Sequence, residues 1–224
     1  MRKVSLLFVA FIVFVALSQG GIEATEMSFT DRFAGGSAEG ASGTYNFDKA
    51  HSVIGFKVKH NGLIEIPGFF RDFTGVVNYD AKDVSKSSVE FTAKATSIDT
   101  GVGGRDTHLR SKDFFEVETY PDVKFKSTKV EKKGDAWMVT GDFTLKDITK
   151  SITFPFNIVG FMPATERSGG RMGITAATKI NRRDYNVNYG NNATIADEVS
   201  IHLAIEAPLP RAAAPAAAAA PKTE

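Results

Sequence analysis

The sequence predicts an all-β domain: about eight antiparallel strands closed into a barrel, with one short helix near an opening. Apolar residues recur at every second position in eight separate segments, the period of strands with one buried face. The links between most of these segments are short, which favours antiparallel neighbours, and closing the sheet would remove its unpaired edges. The apolar faces mix phenylalanine with glycine and alanine, and an eight-stranded barrel either packs solid or encloses one slender ligand.

Before the domain, Arg2 and Lys3 precede an apolar run from Val4 to Leu17, followed by the small residue Ser18. This is the pattern of a secretory signal peptide over residues 1–18, and the run is short for a spanning helix. Cleavage before Gln19 is expected, with a site nearer Ala24 or a retained anchor as alternatives. Removal takes two basic residues and no acidic one, so 27 basic residues become 25 against 26 acidic, a formal charge of −1. That balance gives no long-range attraction to nucleic acid or an anionic bilayer. The chain has no cysteine, which excludes disulfides, thiol catalysis and thiolate metal sites. Residues 19–42, rich in Gly, Ser and Ala, read as a flexible leader, and the Pro/Ala-rich residues 208–224 as a disordered tail.

Within residues 43–207 the strands follow in order. Ile54, Phe56 and Val58 share a face, as do Phe73, Gly75, Val77 and Tyr79, then Val89, Phe91, Ala93 and Ala95. Val123 and Phe125 begin the fourth; Trp137, Val139, Gly141 and Phe143 the fifth, after a turn at Lys133-Gly134-Asp135. In the sixth, Ile152, Phe154, Phe156 and Ile158 face one way and Pro155 the other, which predicts an edge or bulged position. Met172 to Ile180 and Val199 to Ile205 complete the set. The helix is expected over Thr107 to Phe115, too short to stand alone and placed to cap the barrel.

The candidate chemistry is polar recognition, not catalysis. Arg105 offers a fork of donors, Asp106 a carboxylate to fix that fork or cap the helix, and His108 a donor near neutral pH. These three either contact a ligand head group or pin the helix across the opening. His60 shares parity with Ile54, Phe56 and Val58 and points to the barrel mouth, as a ligand contact or a capped core histidine. Arg182 and Asp184, in Asn181-Arg182-Arg183-Asp184-Tyr185, form a second polar knot. The apolar channel candidates are Ile54, Phe56, Val58, Phe73, Phe91, Phe114, Phe115, Phe125, Trp137, Phe143, Phe154, Phe156 and Ile174. No histidine spacing signals a metal site, no nucleophile elbow is present, and Thr100-Gly101-Val102-Gly103-Gly104 lacks the setting of a phosphate loop.

Five ordered segments carry a family resemblance: HSVIGFKVKH (51–60), PGFFRDFTG (67–75), SIDTGVGGRDTHLRSKDFFEVETYPDVKFKS (97–127), VTGDFTLKDITKSITFPF (139–156) and INRRDYNV (180–187). Across residues 43–207 the chain resembles the YceI-like, polyisoprenoid-binding family. The resemblance implies a lipocalin-like barrel in the bacterial periplasm that holds a polyprenyl chain or isoprenoid quinone, requires no other cofactor, and in some relatives forms homodimers. The chain departs from the family pattern at Asn186, where glycine is usual; asparagine tolerates left-handed backbone. The implied function is noncatalytic lipid binding, transport or sequestration. An exported enzyme or redox-associated protein acting on a quinone, and a packed barrel serving as a protein-interaction module, are the alternatives.

Overall fold

The computed structural model describes residues 40–165 and 168–210. The expected signal peptide and nearly all of the leader and tail lie outside them. The strands are β1 (Gly43–Asn46), β2 (Val53–His60), β3 (Ile64–Phe70), β4 (Phe73–Tyr79), β5 (Ser88–Lys94) and β6 (Ile98–Asp99). After helix α1 (Gly103–Arg110) come β7 (Asp122–Lys133), β8 (Ala136–Leu145), β9 (Ile148–Met162), β10 (Arg171–Asn181) and β11 (Ile195–Pro208).

All eleven strands join one antiparallel sheet in the order β1-β4-β5-β7-β8-β9-β10-β11-β2-β3-β6. The closed eight-stranded barrel is therefore corrected to a curled, open half-barrel of eleven strands. Its edges are β1, four residues long, and β6, two residues long, and no ladder joins them. β6 covers only Phe69 and Phe70, so among the described residues the rest of β3 has no strand partner on that side. At one end the segment after β1 meets β11, where Asp48 N–H donates to the Glu206 carbonyl at 2.9 Å.

Cross-strand pairing carries the inward face around the curl. Phe91 sits opposite Phe125, Phe125 opposite Phe143, Val139 opposite Phe154, Ala176 opposite Leu203, and Ile54 opposite both Leu203 and Phe70. These pairs bury the alternating residues that the sequence identifies. The expectation for Pro155 holds locally, although β9 as a whole is an interior strand. Its pairing with β10 stops at Phe156–Ala176, so Pro155 meets a partner only on the β8 side, opposite Met138.

Beyond that point β9 and β10 part. A 3-10 turn, Arg182–Tyr185, fills the seam, with Tyr185 buried against Phe143 (ring centroids 5.4 Å apart) and Asp184 paired to Lys150 at 3.3 Å. The turn ends on Asn186 at φ 57°, the left-handed conformation that asparagine tolerates in place of glycine.

The helix is also shifted from its expected position. It begins at Gly103, with Asp106 N–H donating to the Val102 carbonyl, and ends where Ser111 N–H turns back to the His108 carbonyl. Phe114 and Phe115 lie in the turn that follows, their N–H groups on the carbonyls of Ser111 and Leu109. Arg110 ties the helix down through the carbonyls of Thr96 (2.8 Å) and Ile98 (2.6 Å).

Two histidines on the outside respond to pH in opposite senses. A hydrogen bond donated to the Asp48 carboxylate, reinforced by its charge, raises His51 above the ordinary 6.5. Burial, with the nearby Lys57 charge, lowers His202 below it. His51 therefore adds stability that is full below 6.5 and lost as pH rises through its raised folded value. His202 adds stability that is full above 6.5 and declines as pH falls toward its lowered folded value. NMR titration of the two rings should show midpoints on opposite sides of 6.5; coincident midpoints would refute both assignments.

Candidate functional site

The interior opens into a cavity of about 340 Å3 beneath α1. Volumes of about 300–1,000 Å3 are usual for small-molecule sites. Its walls come from alternate residues of the curled sheet: Ile54, Phe56 and Val58 of β2, Phe91 of β5, Phe143 of β8, and Val199 and Ile201 of β11. Phe114 and Phe115 close it from the turn after α1. Phe56 reaches across β3 because Gly68 faces it: a Cβ at Gly68 would stand 2.2 Å from the Phe56 ring. The exposed lining residues Lys59, His60 and Tyr189 mark the mouth. A smaller cavity of about 70 Å3 occupies the other end of the interior, bordered by Phe91, Phe125, Phe154, Phe156 and Ile174. Phe73 and Trp137 border neither; both pack in the surrounding core.

The polar residues divide by what their donors already do. Arg182 is 4% exposed and commits all five N–H groups within the protein. It donates to the carbonyls of Val187 (2.6 Å), Tyr189 (2.9 Å), Ile195 (3.1 Å) and Ala196 (3.0 Å), and to Asp197 Oδ1 (3.0 Å). Burial lowers its pKa, further helped by Arg183 and opposed by Asp197, and it has no donor to spare for a ligand. Its side chain borders the cavity, where it builds the wall by holding the loop that carries Val187 and Tyr189. Asp184 is exposed and borders neither cavity.

Arg105 is different. Its Nε donates to Thr100 Oγ1 at 2.7 Å and one Nη2 N–H to the Thr100 carbonyl at 2.8 Å, while Nη1 makes no hydrogen bond among the described residues. Asp106 does not grip Arg105 directly. It is buried and accepts from Thr100 N–H (2.9 Å) and Thr100 Oγ1 (2.5 Å), so that Thr100 links the two side chains. His108 is held by Asp113 at 2.8 Å and lies edge-on to Phe114 and Tyr189, with centroids 5.0 and 4.7 Å away. Arg105, His108 and His60 all line the same apolar chamber.

Thr100, Tyr189, Leu109 and Asp197 were not signalled by the sequence. Thr100 adjoins the Arg-Asp-x-His cluster and Tyr189 follows the second polar knot, so proximity to each motif was the one usable cue. No serine lines the large cavity, and its one threonine hydroxyl is engaged by Arg105 and Asp106. Asp48, His51 and Glu206 bring ligand-type atoms within 4.8 Å of one another, but Arg171 enters the cluster, bonded to Glu206 and 3.6 Å from Asp48. Among the described residues no helix is long and apolar enough to cross a membrane.

Residues 45–207 match the family model described as the YceI-like domain. The UPF0312 protein plu2095 of Photorhabdus laumondii is 40% identical over 137 residues, 61% of this chain and 70% of that protein. Protein YceI of Escherichia coli O157:H7 is 38% identical over 157 residues, 69% of this chain and 81% of its own. Among solved structures, Burkholderia cenocepacia BcnA superposes with a TM-score of 0.64 at 26% identity, covering 71% of this chain and 98% of BcnA. The Campylobacter jejuni YceI protein gives 0.62 at 29% identity, covering 73% and 96%. A polyisoprenoid binding domain from Saccharophagus degradans gives 0.58 at 15% identity, covering 76% and 100%, a likeness of fold alone. The alternating apolar faces, the curled sheet and the match over nearly the whole described domain lead to one conclusion: the chain belongs to the YceI-like family.

Proposed function

We infer that this protein binds an isoprenoid lipid, a polyprenyl chain or an isoprenoid quinone, and carries or sequesters it without converting it. The observation that carries this reading is the pairing of an apolar chamber with the uncommitted guanidinium nitrogen of a lining residue, Arg105 Nη1. Each isoprene unit buried contributes roughly 4 kcal/mol gross, before the costs of ordering and association. The tail occupies the chamber, and the head group meets Arg105, His108 and His60. Asp106 acts through Thr100 to orient Arg105, and Arg182 shapes the wall. Export to the periplasm after loss of residues 1–18, and homodimer formation, belong to the same reading.

Mass spectrometry of organic extracts from gently purified mature protein should reveal a near-stoichiometric prenylated species, absent from unrelated exported controls. In a direct binding assay with an isoprenoid quinone, Arg105→Leu should weaken affinity about 10- to 100-fold, the worth of a hydrogen bond from a charged donor. Equal affinity of variant and wild type would remove Arg105 from the head-group site, and no enriched lipid in the extracts would count against lipid binding itself.

A further inference from the structure

We propose that Phe91, Phe125 and Phe154 form an aromatic floor that sets the longest tail the chamber accepts. This rests on the lipid-binding reading and adds a specificity determinant to it. The two cavities lie one above the other along the same strands. On β7, Val123 borders the large cavity and Phe125 the small one; on β8, Phe143 and Val139 divide in the same way, and on β11, Ile201 and Leu203. Phe91 borders both, so it stands at the boundary.

The boundary is built of rings in contact. Phe91 and Phe125 stack with centroids 5.8 Å apart and planes 27° from parallel, and Phe125 meets Phe154 at 5.3 Å. The row runs from β5 through β7 to β9 along the inner face of the sheet. Gly141 of β8 gives the middle ring its place: a Cβ there would stand 2.6 Å from Phe125 Cζ. Past this row the interior offers about 70 Å3 against about 340 Å3 above it. A tail that fills the upper chamber meets ring faces, and further isoprene units must remain outside, in water, where they contribute nothing to binding.

The test uses the whole mature protein and prenyl alcohols of increasing length: farnesol, geranylgeraniol and a long polyprenol. Wild-type affinity should rise with length and then level off. Phe125→Leu combined with Phe154→Leu keeps an apolar core but lowers the floor, and should strengthen binding of the longest tail about tenfold while leaving farnesol unchanged. Adding Ala176→Phe, which fills the small cavity from β10, should restore the wild-type length profile. Identical length profiles in wild type and the double variant would overturn the floor while leaving lipid binding intact. Failure of every alcohol to bind wild type would overturn the lipid reading and the floor with it. Should the double variant not fold, Phe125→Leu alone provides the same comparison.

Discussion

Arg182→Ala is expected to lower the free energy of unfolding by about 3–5 kcal/mol, the range seen when one partner of a buried charged network is removed. The guanidinium serves four carbonyls and Asp197, and all four carbonyls belong to residues 187–196, where the chain crosses from the 3-10 turn into β11. Alanine leaves those acceptors without donors in a region with little water, and the unmade bonds dominate the cost. Arg182→Lys should fall between, because an ammonium carries three donors and not a planar fork. Arg183→Ala should cost about 1 kcal/mol or less, since its bonds to Asp197 and the carbonyls of Asn188 and Gly190 are made largely in solvent. Urea denaturation of the three variants gives the ranking. A loss below about 1 kcal/mol for Arg182→Ala would show that the loop finds other donors.

Tyr185→Ala should cost a similar amount, about 3–5 kcal/mol, as for other buried aromatic truncations. The ring is 2% exposed, meets Phe143 edge-on at 83°, and has Lys150 Nζ 5.7 Å from its centroid. It stands where β9 and β10 no longer pair, so its loss opens the seam as well as a void. Amide exchange should then accelerate in residues 148–155 and 177–181 more than elsewhere. Tyr185→Phe should stay within about 1 kcal/mol of wild type, because the hydroxyl makes no hydrogen bond among the described residues. A uniform rise in exchange across the sheet would refute the local account.

Period-two alternation located the long strands, because each buries one face along its length: Ile54-Phe56-Val58 and Val199-Ile201-Leu203-Ile205 are where it placed them. The strands it missed have too little pattern. β1 buries only Tyr45, β6 has two residues, and β3 contains Pro67 and Gly68, which ordinarily argue against a strand. Pro67 is tolerated because β6 pairs with β3 only at Phe69 and Phe70, leaving Pro67 with a single neighbour, Lys57. The polar residues that line the chamber differed in legibility. Arg105 and His108 were visible as a cluster, but their holders, Thr100 and Asp113, were not separable from ordinary loop residues. Arg182 stood out as a charge on an apolar face, yet its main anionic partner, Asp197, comes from a different strand and leaves no local trace.

The place of β2 in the sheet has a consequence for how the molecule is made. Its partners are β3, which follows at once, and β11, the final strand, with Ile54 opposite Leu203. Nearly the entire domain must therefore be present where it folds before one side of β2 has anything to pair with. Such distant closure slows folding, since loop entropy is spent before the contacts that reward it can form. Until the last strand arrives, β2 presents an open edge and its phenylalanine to whatever else is nearby, and the folding chain is at its most vulnerable to wrong association just before completion.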